Sequence, residues 1–298
     1  MLKAPSGVVI VNKEAGMSSQ AVVTRVKRLF SLDKAGHTGT LDPMATGVLP
    51  VLIGRGVKAS EFMLTEDKHY RAVLLLGMTS DTEDITGEVL SRSDVIPKES
   101  EVYAAVSRFV GEIMQTPPMY SALKVGGKKL YELARSGVTV EREARPVRIY
   151  SLGCERLGER EYSLDVHCSK GTYIRTLCAD IGAALGVGGV MKALLRCEAS
   201  GFGLDEAHTI GEIEAMSEVE REGLIIPIER IFEKLPAVTL QPFFAHLARS
   251  GQQIYLKKIG IEFDILTRVK LYDNDGFFAV GEVREFDEGL AIKPIRQF

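Results

Sequence analysis

Apolar residues crowd into short runs near the start of the chain. Residues 7–12 read GVVIVN, and a run so rich in β-branched side chains predicts a buried strand. After a turn at Gly16, Val22, Val23, Val26, Leu29 and Phe30 recur at the spacing of one helix face. Residues 69–76 predict a second strand, and the polar stretch TSDTEDITGEVL a loop entering a third. Val102, Val106, Phe109 and Val110 mark one face of another helix. Further on, Tyr162, Leu164, Val166 and Cys168 alternate with polar neighbours, as in a strand that buries one face. That strand runs into SKGTYIRTL, where Thr172 can cap a helix carrying Ile174, Leu177, Ile181 and Leu185 on its apolar side. Strands and helices mix without a regular βαβ rhythm, which predicts an α+β fold: a mainly antiparallel mixed sheet flanked by helices.

Residues 205–234 hold nine Asp and Glu against three Lys and Arg, and Pro227, Pro236 and Pro242 cluster toward the far end. A boundary is expected near Leu235, dividing a domain at 1–234 from one at 235–298. In the second, short strands at 253–256, 266–272, 277–283 and 290–295, separated by turn signals such as the Asp-Asn-Asp-Gly of 273–276, predict a small β-barrel.

With 298 residues, the chain can build sizeable cores, and its formal net charge of −3 excludes a uniformly basic protein but not a local basic face. Residues 117–150 carry such a face, with seven Lys and Arg against three Glu and with Tyr120, Tyr131 and Tyr150 interleaved. Cations neutralise phosphates and aromatic rings stack on unpaired bases, so the composition suits RNA. A solvated helix and hairpin is the commoner reason for such a run. Cys154, Cys168, Cys178 and Cys197 form no CxxC pair and the histidines lack metal spacing, so no zinc site is expected. The cysteines suit a reducing compartment, and the start MLKAPSGVVIVNK has too short an apolar run for a signal peptide or a span; the expectation is a cytoplasmic protein with no membrane partner.

Residues 36–50 read GHTGTLDPMATGVLP. Glycines open backbone conformations closed to other residues, and Pro43 pushes Asp42 away from helical geometry, so the stretch predicts a shaped loop. Taken alone, Asp42-Pro43 is simply a turn starter. Arg175 falls in the first turn of its predicted helix, where a cation opposes the helix dipole; it is either a solvated surface residue or has a partner elsewhere.

Together and in this order, these stretches resemble the TruB-type tRNA pseudouridine synthases. GHTGTLDPMATGVLP is similar to the family's catalytic-aspartate motif, KHYR at 68–71 to its active-site tyrosine strand, QTPPMYSALK at 115–124 to the start of its RNA-gripping insertion, and SKGTYIRTL at 169–177 to its active-site arginine motif. The resemblance covers essentially the whole chain, and the C-terminal barrel it implies is PUA-like. It implies that Asp42 is the nucleophile in isomerising uridine-55 of the tRNA T-loop, with the base flipped out of the stack. Arg175 would orient that carboxylate and keep it ionised, and Tyr70 would stack on uracil with its hydroxyl near the C5 proton. Tyr173 would shape the pocket, Leu194 would take the apolar position near the target base, and His37 would contact the space the base vacates or else brace the glycine loop; Lys124, Lys128 and Lys129, within an insertion at about 117–148, would hold substrate. One departure is visible. Where a leucine followed by two basic residues is expected, the chain reads Leu194-Leu195-Arg196. The reaction exchanges a carbon–nitrogen for a carbon–carbon glycosidic bond without redox, so no cofactor is implied. The expected partner is the T-arm of tRNA, met by a monomer without guide RNA or protein partner. The rival readings are a guide-RNA-dependent synthase and a non-catalytic RNA-binding or RNA-folding protein.

Overall fold

A computed structural model describes residues 5–64, 66–121 and 123–298; the side chains at 124, 125, 129 and 135, and with them two of the predicted insertion contacts, Lys124 and Lys129, lie outside the described residues. In chain order the elements are β1 (Gly7–Lys13), α1 (Ser19–Leu29), β2 (Ala35–His37), β3 (Thr46–Ile53), α2 (Ser60–Met63), β4 (Lys68–Leu76), β5 (Met78–Ser80), β6 (Val89–Arg92) and α3 (Glu99–Ser107). Next come β7 (Gly111–Gln115), β8 (Lys124–Val125), β9 (Lys128–Lys129), α4 (Leu130–Arg135), β10 (Arg145–Arg156), β11 (Glu161–Cys168), α5 (Ile174–Ala184), β12 (Gly189–Ala199) and β13 (Phe202–Gly203). The remainder is α6 (Ile210–Ala215), α7 (Glu218–Gly223), β14 (Ala237–Thr239), α8 (Pro242–Arg249), β15 (Ile254–Tyr255), α9 (Leu256–Ile259), β16 (Arg268–Asp273), β17 (Gly276–Phe286) and β18 (Gly289–Gln297).

The large sheet runs β1-β3-β12-β4-β11-β10-β7, with β2 against β3 and β13 against β12. All its pairings are antiparallel except β3 with β12, so the fold is mixed α+β on a large mixed sheet. The alternation expected over 162–168 is observed: Tyr162, Leu164, Val166 and Cys168 are buried and join Tyr70, Ala72 and Leu74 of β4 in one core. α1 covers that core with Val22, Val23 and Val26, and α5 with Ile174, Leu177 and Ile181. Ser18 caps α1 by accepting from the Ala21 N–H at 3.1 Å, while Lys27 and Arg28 sit in its last turn, where cations suit the dipole. Two glycines set close approaches. A Cβ on Gly182 of α5 would meet the Gly189 nitrogen at 2.1 Å, so the helix can lie directly on the start of β12. Gly47, at φ +102°, would meet the Arg196 carbonyl at 2.3 Å, so only glycine lets β3 and β12 run side by side there.

Two expectations are corrected. Thr172 does not cap α5: its hydroxyl donates back to the Ser169 carbonyl at 2.9 Å, and Tyr173 occupies the capping position without a side-chain cap. The stretch 36–50 is not all loop, because Thr46–Pro50 already pairs in β3 and leaves the loop at 38–45. The apolar run at its end favours pairing with β1 over an irregular path.

Toward the C-terminus, five strands form a second sheet in the order β14-β16-β17-β18-β15. The described pairings do not join β14 to β15, so this is an open sheet rather than a closed barrel. Its own core is built around Val269, Leu271, Phe278, Val283 and Ile292. A separate cluster of Ala59, Ile228, Phe232 and Val280 links it to the rest of the chain. Among the described residues no helix is long and apolar enough to cross a membrane.

Candidate active site

The loop 38–45 is held from every side. At its front, Ser19 in the first turn of α1 closes a reciprocal pair with Leu41, its hydroxyl donating to the carbonyl at 3.0 Å and accepting from the N–H at 2.8 Å. Gly16 donates to the Pro43 carbonyl at 2.8 Å, and Ala45 closes a turn on Asp42 at 3.0 Å. From below come two buried cations. Lys13, at 0 % exposure, donates to the carbonyls of Ala45 at 2.5 Å, Pro43 at 3.1 Å and Glu14 at 3.0 Å. Arg196, at 1 %, donates to Val48 at 2.7 Å and Gly39 at 3.2 Å. Each buried charge is matched by carbonyl dipoles, which turns an otherwise costly burial into a fixed backbone.

Asp42 projects from this loop toward α5. Arg175 meets it with Nε on Oδ2 at 3.0 Å and Nη2 on Oδ1 at 3.4 Å, a fork matched to the carboxylate. The partner that the dipole argument left open for Arg175 is therefore Asp42. Arg175 is 5 % exposed and its remaining donors are taken up: Nη1 by the Thr82 carbonyl at 3.0 Å, Nη2 also by the Tyr120 carbonyl at 2.7 Å. Asp84 stands 3.7 Å from Nη1. Its other oxygen accepts from the Thr82 hydroxyl and from the Thr86 N–H and hydroxyl at 2.6–2.9 Å. Gln115 pins the entry to α5, donating to the Tyr173 carbonyl at 3.0 Å and accepting from its N–H at 2.8 Å.

Electrostatics at Asp42 are a contest. Burial pushes its carboxyl above the usual range; Arg175 and Lys13 pull it down, and Asp84 pushes it up again. The arginine thus offsets desolvation without overcoming it. Burial brings Lys13 down to about 8, with Asp42 opposing and Arg196 assisting. Tyr70, 7 % exposed and paired with Arg196 across β4 and β12, has its phenol raised by burial and lowered by the Arg196 charge. Burial likewise raises Tyr173. The charge of Asp42 adds slightly to the rise of both phenols.

Of the predicted site residues, Asp42 and Arg175 touch; Tyr70 pairs with Arg196 across β4 and β12, and Tyr173 stands at the start of α5 two residues before Arg175. Leu194 is buried in the same core, and its carbonyl accepts from the Thr46 hydroxyl at 3.3 Å. His37 is half-buried on β2, with Nδ1 accepting from the Gly39 N–H at 3.4 Å; burial and Arg196 lower its pKa. Lys128 is exposed in the small β8–β9 hairpin. Three residues were missed. Lys13 looks like the end of an apolar strand, and Asp84 like one acid in a polar run. Arg196 carried a visible signal, because it stands at the departure from the expected pattern.

Comparison with known proteins follows the same lines. Residues 27–174 match the family model described as TruB family pseudouridylate synthase (N terminal domain), and residues 175–233 match the tRNA pseudouridylate synthase B C-terminal domain. A curated relative from Methylobacillus flagellatus, named tRNA pseudouridine synthase B, is 42% identical over 277 residues, covering 93% of this chain and 90% of that protein. Another of that name from Alkaliphilus oremlandii is 43% identical over 284 residues, covering 95% and 94%. Among solved structures, a chain of the H/ACA RNP bound to a substrate RNA containing 2′-deoxyuridine superposes with a TM-score of 0.72 at 23% identity, covering 98% of this chain and 84% of its own. A chain of the Cbf5-Nop10-Gar1 complex does so at 0.69 and 26%, covering 98% and 84%.

Proposed function

The chain belongs to the TruB family of pseudouridylate synthases, a tRNA-modifying isomerase, and from that premise we propose that it converts uridine-55 in the tRNA T-loop to pseudouridine. The observation that carries the assignment of roles is the fork between Arg175 and Asp42 above a loop whose carbonyls at Gly39, Leu41, Pro43 and Ala45 are held by side chains. A nucleophile must be held and aimed, and that arrangement does both, while the Arg175 charge opposes the burial that raises the carboxyl. Asp42 attacks the flipped nucleotide, the bond between uracil N1 and ribose C1′ breaks, the base turns, and C5 bonds to C1′; the bond to Asp42 is released, C5 loses its proton and N1 ends protonated. Arg175 orients the carboxylate. Tyr70 stacks on the base and presents its hydroxyl to the C5 proton, while Tyr173, His37 and Leu194 shape the pocket. Lys124, Lys128 and Lys129 of the insertion at about 117–148 hold RNA phosphates.

Residues 235–298 act as a separate PUA-like RNA-holding domain, a role supported by the independent core of that sheet. The enzyme works in the cytoplasm as a monomer on the T-arm, without guide RNA or protein partner. Relatives at 42–43% identity over most of the chain that are named tRNA pseudouridine synthase B support that form.

The test is to incubate the purified chain with unmodified tRNA and map pseudouridine at nucleotide resolution. Product at position 55 without added RNA is expected. Product only when guide RNA is supplied, or none at all, would overturn this reading.

A further inference from the structure

Tyr120 grips two groups at once. Its carbonyl accepts from Nη2 of Arg175 at 2.7 Å, and its hydroxyl donates to Oδ2 of Asp81 at 3.2 Å. Asp81 is adjacent to Thr82, whose carbonyl accepts from Nη1 of the same arginine at 3.0 Å. The contacts therefore close a ring: Tyr120, Asp81, Thr82, Arg175 and back to Tyr120. The far oxygen of Asp81 is held by the Glu88 N–H at 2.7 Å, so the 81–88 loop offers a firm seat.

Tyr120 also stands at the root of the basic insertion. Past it, the Tyr131 N–H donates to the Ser121 carbonyl at 3.1 Å and the Leu130 N–H to the Leu123 carbonyl at 2.8 Å, with Leu130 buried. On the return side, Arg142 donates to the Pro117 carbonyl at 3.0 Å. Any displacement of the insertion by RNA is thus passed to residues 117–121, and from them to Arg175. The hydroxyl contact lies at the solvent-exposed edge of the ring.

The geometry points to Tyr120 as a positioning residue: its contact with Asp81 registers the insertion on the 81–88 loop and so sets the carbonyl that orients Arg175 against Asp42. The inference rests on the assignment of Arg175 and Asp42 made above. Substrate engagement at the insertion is then coupled to alignment of the nucleophile. Losing the hydroxyl leaves the insertion's cations in place, so it affects turnover rather than affinity.

The experiment compares wild type, Tyr120→Phe, Asp81→Ala, their double variant and Arg175→Met, measuring single-turnover pseudouridine formation with saturating enzyme, tRNA affinity and melting temperature. Tyr120→Phe is expected to slow the rate roughly tenfold at unchanged affinity and melting, the size of one hydrogen bond to a charged group. In the Asp81→Ala background the same substitution should slow the rate no further. Wild-type rates in Tyr120→Phe beside a slow Arg175→Met would overturn the coupling and leave the site assignment standing. An equal factor in both backgrounds, or weaker binding with unchanged rate, would also overturn it. A wild-type rate in Arg175→Met would remove the site assignment itself, and the coupling with it.

Discussion

The loop at 38–45 and the insertion at 117–148 sit on either side of Arg175, yet they are built on opposite principles. In the loop, a buried lysine and a buried arginine occupy the backbone carbonyls, and a helix-terminal serine ties Leu41 at both its polar groups. In the insertion, Lys128 and most residues of 136–145 face solvent, and a two-residue hairpin and a short helix are its regular elements. Chemistry needs a carboxylate fixed to a fraction of an ångström. An RNA grip needs accessible charge that adapts to its partner. The difference teaches that one cleft can join a preorganised wall to a compliant one.

The largest test of that contrast is Asp42→Asn, which keeps size and removes the nucleophile. Single-turnover rate is expected to fall on the order of 10⁴-fold or more, with melting temperature and tRNA affinity close to wild type. Substantial turnover by a folded variant would take Asp42 out of the mechanism. Tyr70→Phe keeps the aromatic face and loses the hydroxyl; a slowing of roughly 10²- to 10⁴-fold with normal binding is expected if the hydroxyl helps move the C5 proton. Near wild-type rates would reduce Tyr70 to a stacking platform.

Lys13→Met probes the brace. Removing the donor to Pro43 and Ala45 should destabilise the fold by about 1–3 kcal/mol, since two carbonyls lose a partner away from water. The pH dependence has a definite sign. Lys13 drops from 10.5 to about 8 on folding, so between those values the unfolded chain holds a proton that the folded chain has released. Stability from this group therefore rises from pH 8 toward 10.5, and the rise should vanish in Lys13→Met. Urea melts of both proteins at pH 8 and pH 10 decide it; parallel shifts would mean that Lys13 is charged throughout.

The smallest effect on chemistry should come from neutralising Lys124, Lys128 and Lys129 together. Affinity should fall and the slope of log affinity against log salt should become shallower by up to roughly 2 to 3, while the saturated rate stays put. An unchanged slope would put the RNA on another face.

Much of this was legible in the chain. The apolar periods placed the first strand, the first helix and the alternating strand at 161–168, because burial of one face imposes a period of its own. The glycine-rich stretch carries Asp42, which pairs with Arg175, although its end belongs to β3, where an apolar run is drawn into pairing. Thr172 carried the right chemistry for a cap and makes another bond, since capping depends on a local backbone angle that composition does not encode. Four of the five C-terminal strands were readable one by one, and β14 was missed. Whether they close on each other was not readable, because closure depends on tilt and register across the whole sheet.

By itself, the sequence determined the strands near 7–12, 69–76 and 162–168, the helices carrying Val22 to Leu29 and Ile174 to Ile181, which residue types surround Asp42 along the chain, and that 117–150 is the basic stretch. Those properties reside in neighbours along the chain. Only the tertiary structure decided that Arg175, 133 residues away, closes on Asp42, that Asp84 competes for the same guanidinium, and that Lys13 and Arg196 lie beneath the loop. A buried charge is tolerated only where distant backbone carbonyls converge on it, and that convergence exists once β1, β3 and β12 are side by side.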